Sequence, residues 1–221
     1  MKLSKQVRLL VAADGLSASG KTTGAKLISR KYGLSFLSSG LLYRYISFRL
    51  LTKKNSANEL SFIKKQANKI TAKKLNDNKL FDPRVTQFSA IIAKSKKIRK
   101  LLRKYQKKFA KHRLVCIEGR DIGSIICPNA DIKFFFKCSL KIRARRRWDE
   151  FRKKNRKISL KEVKKALKQR DSLDIHRKES PLKQVKDSIL IDTSKLNKKQ
   201  MLDKLSKVVE KKLKNKYGNF S

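Results

Sequence analysis

The stretch Val7-Arg8-Leu9-Leu10-Val11-Ala12-Ala13-Asp14-Gly15-Leu16-Ser17-Ala18-Ser19-Gly20-Lys21-Thr22 decides the fold. Its first part, Val7–Ala13, is a short apolar run ending at Asp14-Gly15, the pattern of a strand buried on both faces. Its second part, Gly15 to Thr22, matches G-x-x-x-x-G-K-[ST]. From Lys21 the pattern turns helical, with Ala25, Leu27 and Ile28 apolar, and it stops near Gly33. Strand, glycine-bearing loop and helix, in that order, is the setting in which such a loop binds phosphate. Glycines allow the tight turn that points successive N–H groups at phosphate oxygens. The helix N-terminus adds partial positive charge. Lys21 is placed to reach the β- and γ-phosphates, and the Thr22 hydroxyl to ligate Mg²⁺. With only 8 Gly in 221 residues, finding Gly15, Gly20 and Gly24 so close together argues against a chance match.

Downstream, the pattern keeps alternating. A helix is expected over Leu41–Leu51, after Ser38-Ser39-Gly40. Lys53–Asn78 is polar, Lys-rich and weakly periodic, and reads as a peripheral insert. Phe88–Lys111 reads as one helix, Leu114–Ile117 and Ile132–Phe136 as buried strands, and Ile142–Arg156 as a basic helix. Ser159-Leu-Lys-Glu162 is a capping box that opens another helix, through about Ser172. Ile189–Ile191 is a last strand. Asn197 caps a final helix with Leu202, Leu205, Val209 and Leu213 on one face. Strands alternating with helices predict an α/β fold, a parallel sheet flanked by helices on both faces.

Composition restricts the partners. The 60 Lys and Arg against 17 Asp and Glu give a net charge of +43. Such a field draws anionic substrates. Lys is scattered over every segment, which fits a solvated surface, while the size of the charge leaves a nucleic-acid partner open. Cys116, Cys127 and Cys138 form no paired motif and read as small buried thiols in a reducing compartment. No apolar run reaches the ~18 residues of a membrane span, and Leu9–Ala13 is too short for a signal peptide, so a cytoplasmic protein is expected.

Four polar clusters add to the phosphate loop. Glu118-Gly119-Arg120-Asp121-Ile122-Gly123 ends a predicted strand, where ligands of parallel sheets bind. Ser39-Gly40-Leu41-Leu42-Tyr43-Arg44 opens a helix. Arg170, Asp174 and Arg177 are spaced to share a helical face. Arg143-Ala144-Arg145-Arg146-Arg147 is dense in Arg in a chain that otherwise prefers Lys, and Arg offers a bidentate fork for phosphoryl oxygens.

Taken together, in this order, these blocks and Arg99 resemble the bacterial cytidylate kinases, P-loop nucleoside monophosphate kinases, over roughly Val7 to Leu213. The Gly119–Gly123 block and the Arg170-x-x-x-Asp174-x-x-Arg177 block carry the resemblance most specifically. It implies a single kinase domain over 1–221: a P-loop NTPase-type parallel sheet core, a monophosphate-binding insert near 53–87 and a helical lid near 143–160. It implies transfer of the γ-phosphoryl of ATP to CMP or dCMP with Mg²⁺. Gly15, Ser17, Ala18, Ser19, Gly20, Lys21, Thr22 and Thr23 would hold ATP, and Thr22 would hold Mg²⁺, with Glu118 acting through water. Ser39, Tyr43, Arg44, Arg84, Arg99, Arg120, Asp121, Arg170, Asp174 and Arg177 would hold CMP. Lys21, Arg120, Arg146 and Arg177 would carry the catalysis, and the enzyme would act as a monomer. Leu37-Ser38-Ser39-Gly40 departs from the family's usual Leu-Asp-Ser-Gly, the insert is shorter than the family's long form, and Ala90 stands where the family has a serine. A kinase for UMP or another acceptor, and a basic ATP-using nucleic-acid-binding protein, are the alternatives.

Overall fold

The structure is a computed structural model that describes residues 3–53, 59–153, 155 and 157–218. The chain forms two compact units, residues 1–37 with 112–221 and residues 38–111.

The first unit is built on a five-stranded sheet in the order β2-β3-β1-β4-β5. These are β1 (Leu9–Gly15), β2 (Ser35–Ser38), β3 (Leu114–Gly119), β4 (Ile132–Lys137) and β5 (Ile189–Asp192). β1 runs parallel to β3 and β4, with Val11 opposite Cys116 on one side and Ile132 on the other, and β4 runs parallel to β5. Its central place explains the unbroken apolarity of Leu9–Ala13, because neither face meets water. The helices α1 (Lys21–Tyr32), α7 (Leu140–Arg152), α8 (Leu160–His176) and α9 (Lys198–Tyr217) belong to this unit. α1 buries Ala25, Ile28 and Tyr32, and α9 buries Leu205, Val209 and Leu213, in one core with Val11, Phe134, Phe136 and Ile191. Each such aliphatic or aromatic side chain contributes about 1.5–3 kcal/mol on leaving water. α1 stops where Gly33 turns left-handed at φ 67°, its N–H donating to the Ser29 carbonyl.

After Ser38, which ends β2, the regular elements of the second unit among its described residues are helical: α2 (Ser39–Leu51), α3 (Glu59–Asn68), α4 (Ala72–Leu75), a 3₁₀ turn at Asn78–Phe81, α5 (Pro83–Ile92) and α6 (Lys96–Phe109). α2 packs on α5, and α3 on α6. Leu42, Ile46, Leu80, Val85, Ile92 and Leu102 are buried there. The expected insert range 53–87 falls within this unit, although its residues 54–58 lie outside the described ones.

Several elements depart from the sequence reading. β1 begins at Leu9 rather than Val7 and runs through Asp14 and Gly15. β2 was not expected, since a four-residue strand with serines at both ends carries little periodic signal. The single helix expected over Phe88–Lys111 is two helices. Asp82 caps α5 with Pro83 at its first position, and Ser95 starts α6 afresh by accepting the Ile98 N–H on its side chain. α8 extends beyond Ser172 to His176. Of the helix expected over Ile142–Arg156, the structure gives α7 from Leu140 to Arg152, and Lys154 and Arg156 lie outside the described residues. The expected capping box forms at Ser159–Glu162, and Asn197, expected as a cap, forms a second box with Gln200.

Candidate active site

The phosphate loop joins β1 to α1 through three unusual backbone conformations. Gly15 has φ 149°, Ala18 φ 57° and Gly20 φ 82°. A Cβ on Gly15 would lie 2.2 Å from the Phe136 carbonyl oxygen, so only glycine lets β1 pass β4 at this point. Gly20 is the N-cap of α1 and leads straight into Lys21.

Lys21 is buried, with its Nζ 3.6 Å from Glu118 Oε2 at the end of β3. Burial first, and then the positive charge of Arg120, push its ammonium down to about 8, while Glu118 pulls the other way. Such a lysine gains more from an arriving polyanion than a solvated one does, since the phosphate restores what burial removed. Thr22, one residue on, is half-buried, and Thr23 is exposed.

The Gly119–Gly123 block and the end of α8 meet beside the loop. Arg120 Nε donates to Asp174 Oδ2 at 2.6 Å, and its NH2 donates to Ser17 Oγ at 3.4 Å. Arg177 NH1 donates to the other Asp174 oxygen at 3.3 Å, and its NH2 lies 3.9 Å from Asp121 Oδ1. Asp174 thus spaces two guanidinium groups. Burial alone would raise its carboxyl, but the attraction of Arg120, Arg170 and Arg177 outweighs burial and leaves it below the usual range. Burial also works against the Arg120 charge, which Asp174 more than restores. The expectation that Arg170, Asp174 and Arg177 share a helical face holds only for the first two. Arg177 is the residue after α8, with an extended backbone at ψ 139°, and reaches Asp174 from there.

Asp14 anchors this block to the loop. Its carboxylate accepts the N–H of Ile122 at 2.9 Å and of Gly123 at 2.7 Å, at the start of a π-helical turn, Ile122–Ile126. Burial pushes its pKa up to about 7, against the pull of these two donors.

In the second unit, Ser39 is buried at the first position of α2, and Tyr43 and Arg44 follow within one turn. Arg99 is buried on α6, with its guanidinium 5.5 Å from the centre of the Tyr43 ring and NH1 donating to the Ala93 carbonyl. Arg44 stacks at 5.2 Å on Phe81. The unit therefore brings Arg99 and Tyr43 together. The Arg84 side chain is 87% exposed, with its Nε 3.6 Å from Asp82.

Three residues outside the expected site also touch the loop. Arg143 and Asp171 are buried and paired, and both bond to Ser17. Thr193, just past β5, donates its hydroxyl to the Ser19 carbonyl at 2.8 Å. Arg146 donates to the Thr193 carbonyl at 2.8 Å. Arg143 opens the Arg run expected to offer a fork to phosphoryl oxygens, but its guanidinium is spent on Asp171 and on the Cys138 and Ser17 carbonyls. Asp171 stood in a polar run with no motif of its own. Thr193 follows a parallel strand at its carboxyl end, a position that itself points toward a ligand. Trp148 is a packing residue, its Nε1 donating to the Ile158 carbonyl, with Arg145 and Arg152 over its ring. Cys116, Cys127 and Cys138 are buried and form no disulfide. Among the described residues, no helix is long and apolar enough to cross a membrane.

A parallel sheet with a phosphate loop off its central strand, a buried lysine in that loop and paired guanidinium groups beside it define a P-loop phosphotransferase. A profile of the cytidylate kinases matches residues 11–211. The cytidylate kinase of Fusobacterium nucleatum is 36% identical over 213 residues, covering 92% of this chain and 98% of its own length. That of Bartonella henselae is 39% identical over 189 residues, covering 85% and 88%. The chain belongs to the cytidylate kinase family. In fold it is similar to an uncharacterized protein from Eubacterium ventriosum, with TM-score 0.55 at 14% identity over 92% of this chain and 99% of that one. It is likewise similar to TT1252 from Thermus thermophilus, with TM-score 0.50 at 18% identity over 94% and 99%.

Proposed function

We propose that the chain transfers the γ-phosphoryl group of ATP to CMP or dCMP, giving ADP and CDP or dCDP. The observation that carries this reading is the buried Lys21, set at the mouth of the phosphate loop beside the Arg120–Asp174–Arg177 network. Phosphoryl transfer asks for positioning and charge neutralisation rather than a strong base. Lys21 neutralises the β- and γ-phosphates of ATP, which the loop from Gly15 to Thr23 holds. Arg120 and Arg177, held apart by Asp174, are poised to give up part of that pairing to the phosphate of the acceptor. Arg170 adds charge to the same cluster, and Arg146 stabilises charge on the transferring group.

The oxygen donors near Lys21 suit a hard divalent cation. The Thr22 hydroxyl and the Glu118 carboxylate would hold Mg²⁺, the latter through water, with the phosphates completing its shell. When bound with ATP, the ion adds positive charge at the β- and γ-oxygens. Thr22 would hold it, and Lys21, paired with Glu118, keeps its ammonium at the loop.

Cytosine presents an N4 donor beside N3 and O2 acceptors. By the family resemblance, Asp121 of the first unit is suited to accept from N4, and the second unit carries Arg99, suited to donate to the base acceptors, together with Ser39, Tyr43, Arg44 and Arg84. Uracil has an oxygen at position 4, which would face the Asp121 carboxylate without a proton, a mismatch that discriminates strongly. The 143–160 segment acts as a lid that excludes water from the transfer. The enzyme acts as a cytoplasmic monomer.

The test is ADP release with ATP and Mg²⁺ across CMP, dCMP, UMP, AMP and GMP, with a no-acceptor control. Turnover with CMP and dCMP alone is the expected result, and strong turnover with UMP would overturn the base reading. In the same assay, Asp121→Ala lowers the preference for CMP over UMP by roughly tenfold or more. An unchanged preference would place base recognition elsewhere.

A further inference from the structure

Ser17 lies in the middle of the phosphate loop, and both its backbone groups are taken by side chains from outside the loop. Its N–H donates to Asp171 Oδ1 at 3.1 Å. Its carbonyl accepts from Arg143 NH1 at 3.0 Å. Arg143 comes from α7 and Asp171 from α8. They are joined by a direct ion pair, and Arg143 Nε is fixed in turn on the Cys138 carbonyl at 2.9 Å. Both residues are nearly inaccessible, at 4% and 7% exposure.

A trans peptide is planar, with its C=O and N–H pointing in opposite directions. Arg143 captures the Ser17 carbonyl, so the Ala18 N–H is turned the opposite way. The same logic repeats two residues on. Thr193 Oγ1 donates to the Ser19 carbonyl at 2.8 Å, and the Gly20 N–H is turned opposite to it. Two peptide planes of the loop, Ser17–Ala18 and Ser19–Gly20, are therefore each held by a side chain from outside it. Between them Ala18 sits at φ 57°, a left-handed conformation that a residue with a Cβ adopts only at an energetic cost. Such a conformation persists only where the surroundings over-determine it.

We propose that Arg143 and Asp171 are positioning residues for ATP: by fixing both backbone groups of Ser17 they orient the Ser17–Ala18 peptide so that the Ala18 amide faces the bound phosphates. The inference rests on the loop binding ATP, as argued above. Neither residue touches the phosphates. Each acts through the loop backbone, which is why no loop motif contains them. Because α7 and α8 each supply one half of the clamp, a change in their packing is transmitted to the phosphate cradle.

The test uses the full chain and compares the dissociation constants of ATP and CMP, measured by titration calorimetry, with the melting temperature of each variant. Arg143→Met with Asp171→Leu replaces the pair by apolar groups of similar size and leaves the net charge unchanged, an exchange that folded proteins often tolerate. Its ATP affinity should fall roughly tenfold, the scale of one strained peptide no longer held, while CMP affinity stays within about twofold. Asp171→Ala and Asp171→Asn form a second comparison, independent of how the double variant folds. Asn keeps an acceptor for the Ser17 N–H and should retain more ATP affinity than Ala at a similar melting temperature. Unchanged ATP affinity in folded variants would overturn the proposal, as would equal weakening of ATP and CMP or no rescue by Asn. A wild-type chain that binds no ATP would instead overturn the functional reading on which it rests.

Discussion

Lys21 is the residue on which the electrostatics converge. Its ammonium is held at about 8 by burial and by the Arg120 charge. Phosphate binding favours the charged form, so ATP raises this value on binding. The sign follows. Affinity for ATP is fully present below pH 8 and is lost as pH rises through it, because the free enzyme must then take up a proton to bind. The expected result is a kcat/KM for ATP that is level below about pH 7 and declines above pH 8, while kcat at saturating ATP declines only at higher pH. Glu118→Gln should move the decline to lower pH, since Glu118 supports the charge. A profile flat to pH 9.5 would contradict the assignment. Asp14 makes a different prediction. Asp14→Ala leaves the N–H groups of Ile122 and Gly123 buried without their acceptor, at a cost of roughly 3 kcal/mol, measurable by urea unfolding. Lys21, Arg120 and Asp121 were legible in the sequence because their motifs constrain neighbours at fixed spacing. The contacts of Arg143, Asp171 and Thr193 with the loop were not, because these residues act on its backbone from elements far along the chain, and backbone N–H and carbonyl groups impose no residue type on their partner.

At the scale of elements, the loop depends on how closely β1, β4 and α1 approach. Gly15 passes the Phe136 carbonyl with no room for a side chain, and Gly24 in α1 faces the Phe136 ring, where a Cβ would meet Cε1 at 2.8 Å and Leu205 Cδ1 at 3.1 Å. Gly15→Ala puts a methyl against backbone and should cost more than about 3 kcal/mol, above the ~1–3 typical of overpacking. Gly24→Ala meets a ring and a side chain that shift more readily, and should cost about 1–2 kcal/mol. Thermal unfolding of the two variants checks the order, and a milder Gly15→Ala would contradict the packing argument. The core strands β1, β3 and β4 were legible because burial on both faces leaves an unbroken apolar signature. β2 was hidden because it is short and polar at its ends. The break between α5 and α6 was hidden because apolar positions run on across Ala93-Lys94-Ser95 with nearly the helical period. Only Ser95, in a position to cap, marked the new start. Arg177 was misplaced for a related reason, since the i+7 spacing is kept although the helix ends one residue before it.

At the scale of the whole molecule, the net charge of +43 is the dominant feature. It is not confined to the phosphate loop. α6, in the second unit, carries no carboxylate at all, and Lys96, Lys97, Lys100, Lys104, Lys107 and Lys108 all face water on it. Both proposed substrates are polyanions, and a surface of one sign raises their encounter rate at low ionic strength, where the screening length reaches ~30 Å at 0.01 M against ~8 Å at 0.15 M. The buried pairs around Lys21 and Arg120–Asp174–Arg177 are shielded from bulk ions and should not respond in the same way. The expected outcome is therefore a split. Raising NaCl from low to physiological ionic strength lowers kcat/KM for ATP and for CMP several-fold, while kcat at saturation changes little. Because the loop and the Arg120–Asp174–Arg177 network are buried short-range pairs, Asp174→Asn lowers turnover at every salt concentration without altering that slope. A kcat that fell in parallel with kcat/KM would mean that salt reaches the catalytic ion pairs themselves. A kcat/KM that ignored salt would mean that the lysines face away from the route the substrates take, leaving the charge with no part in catalysis.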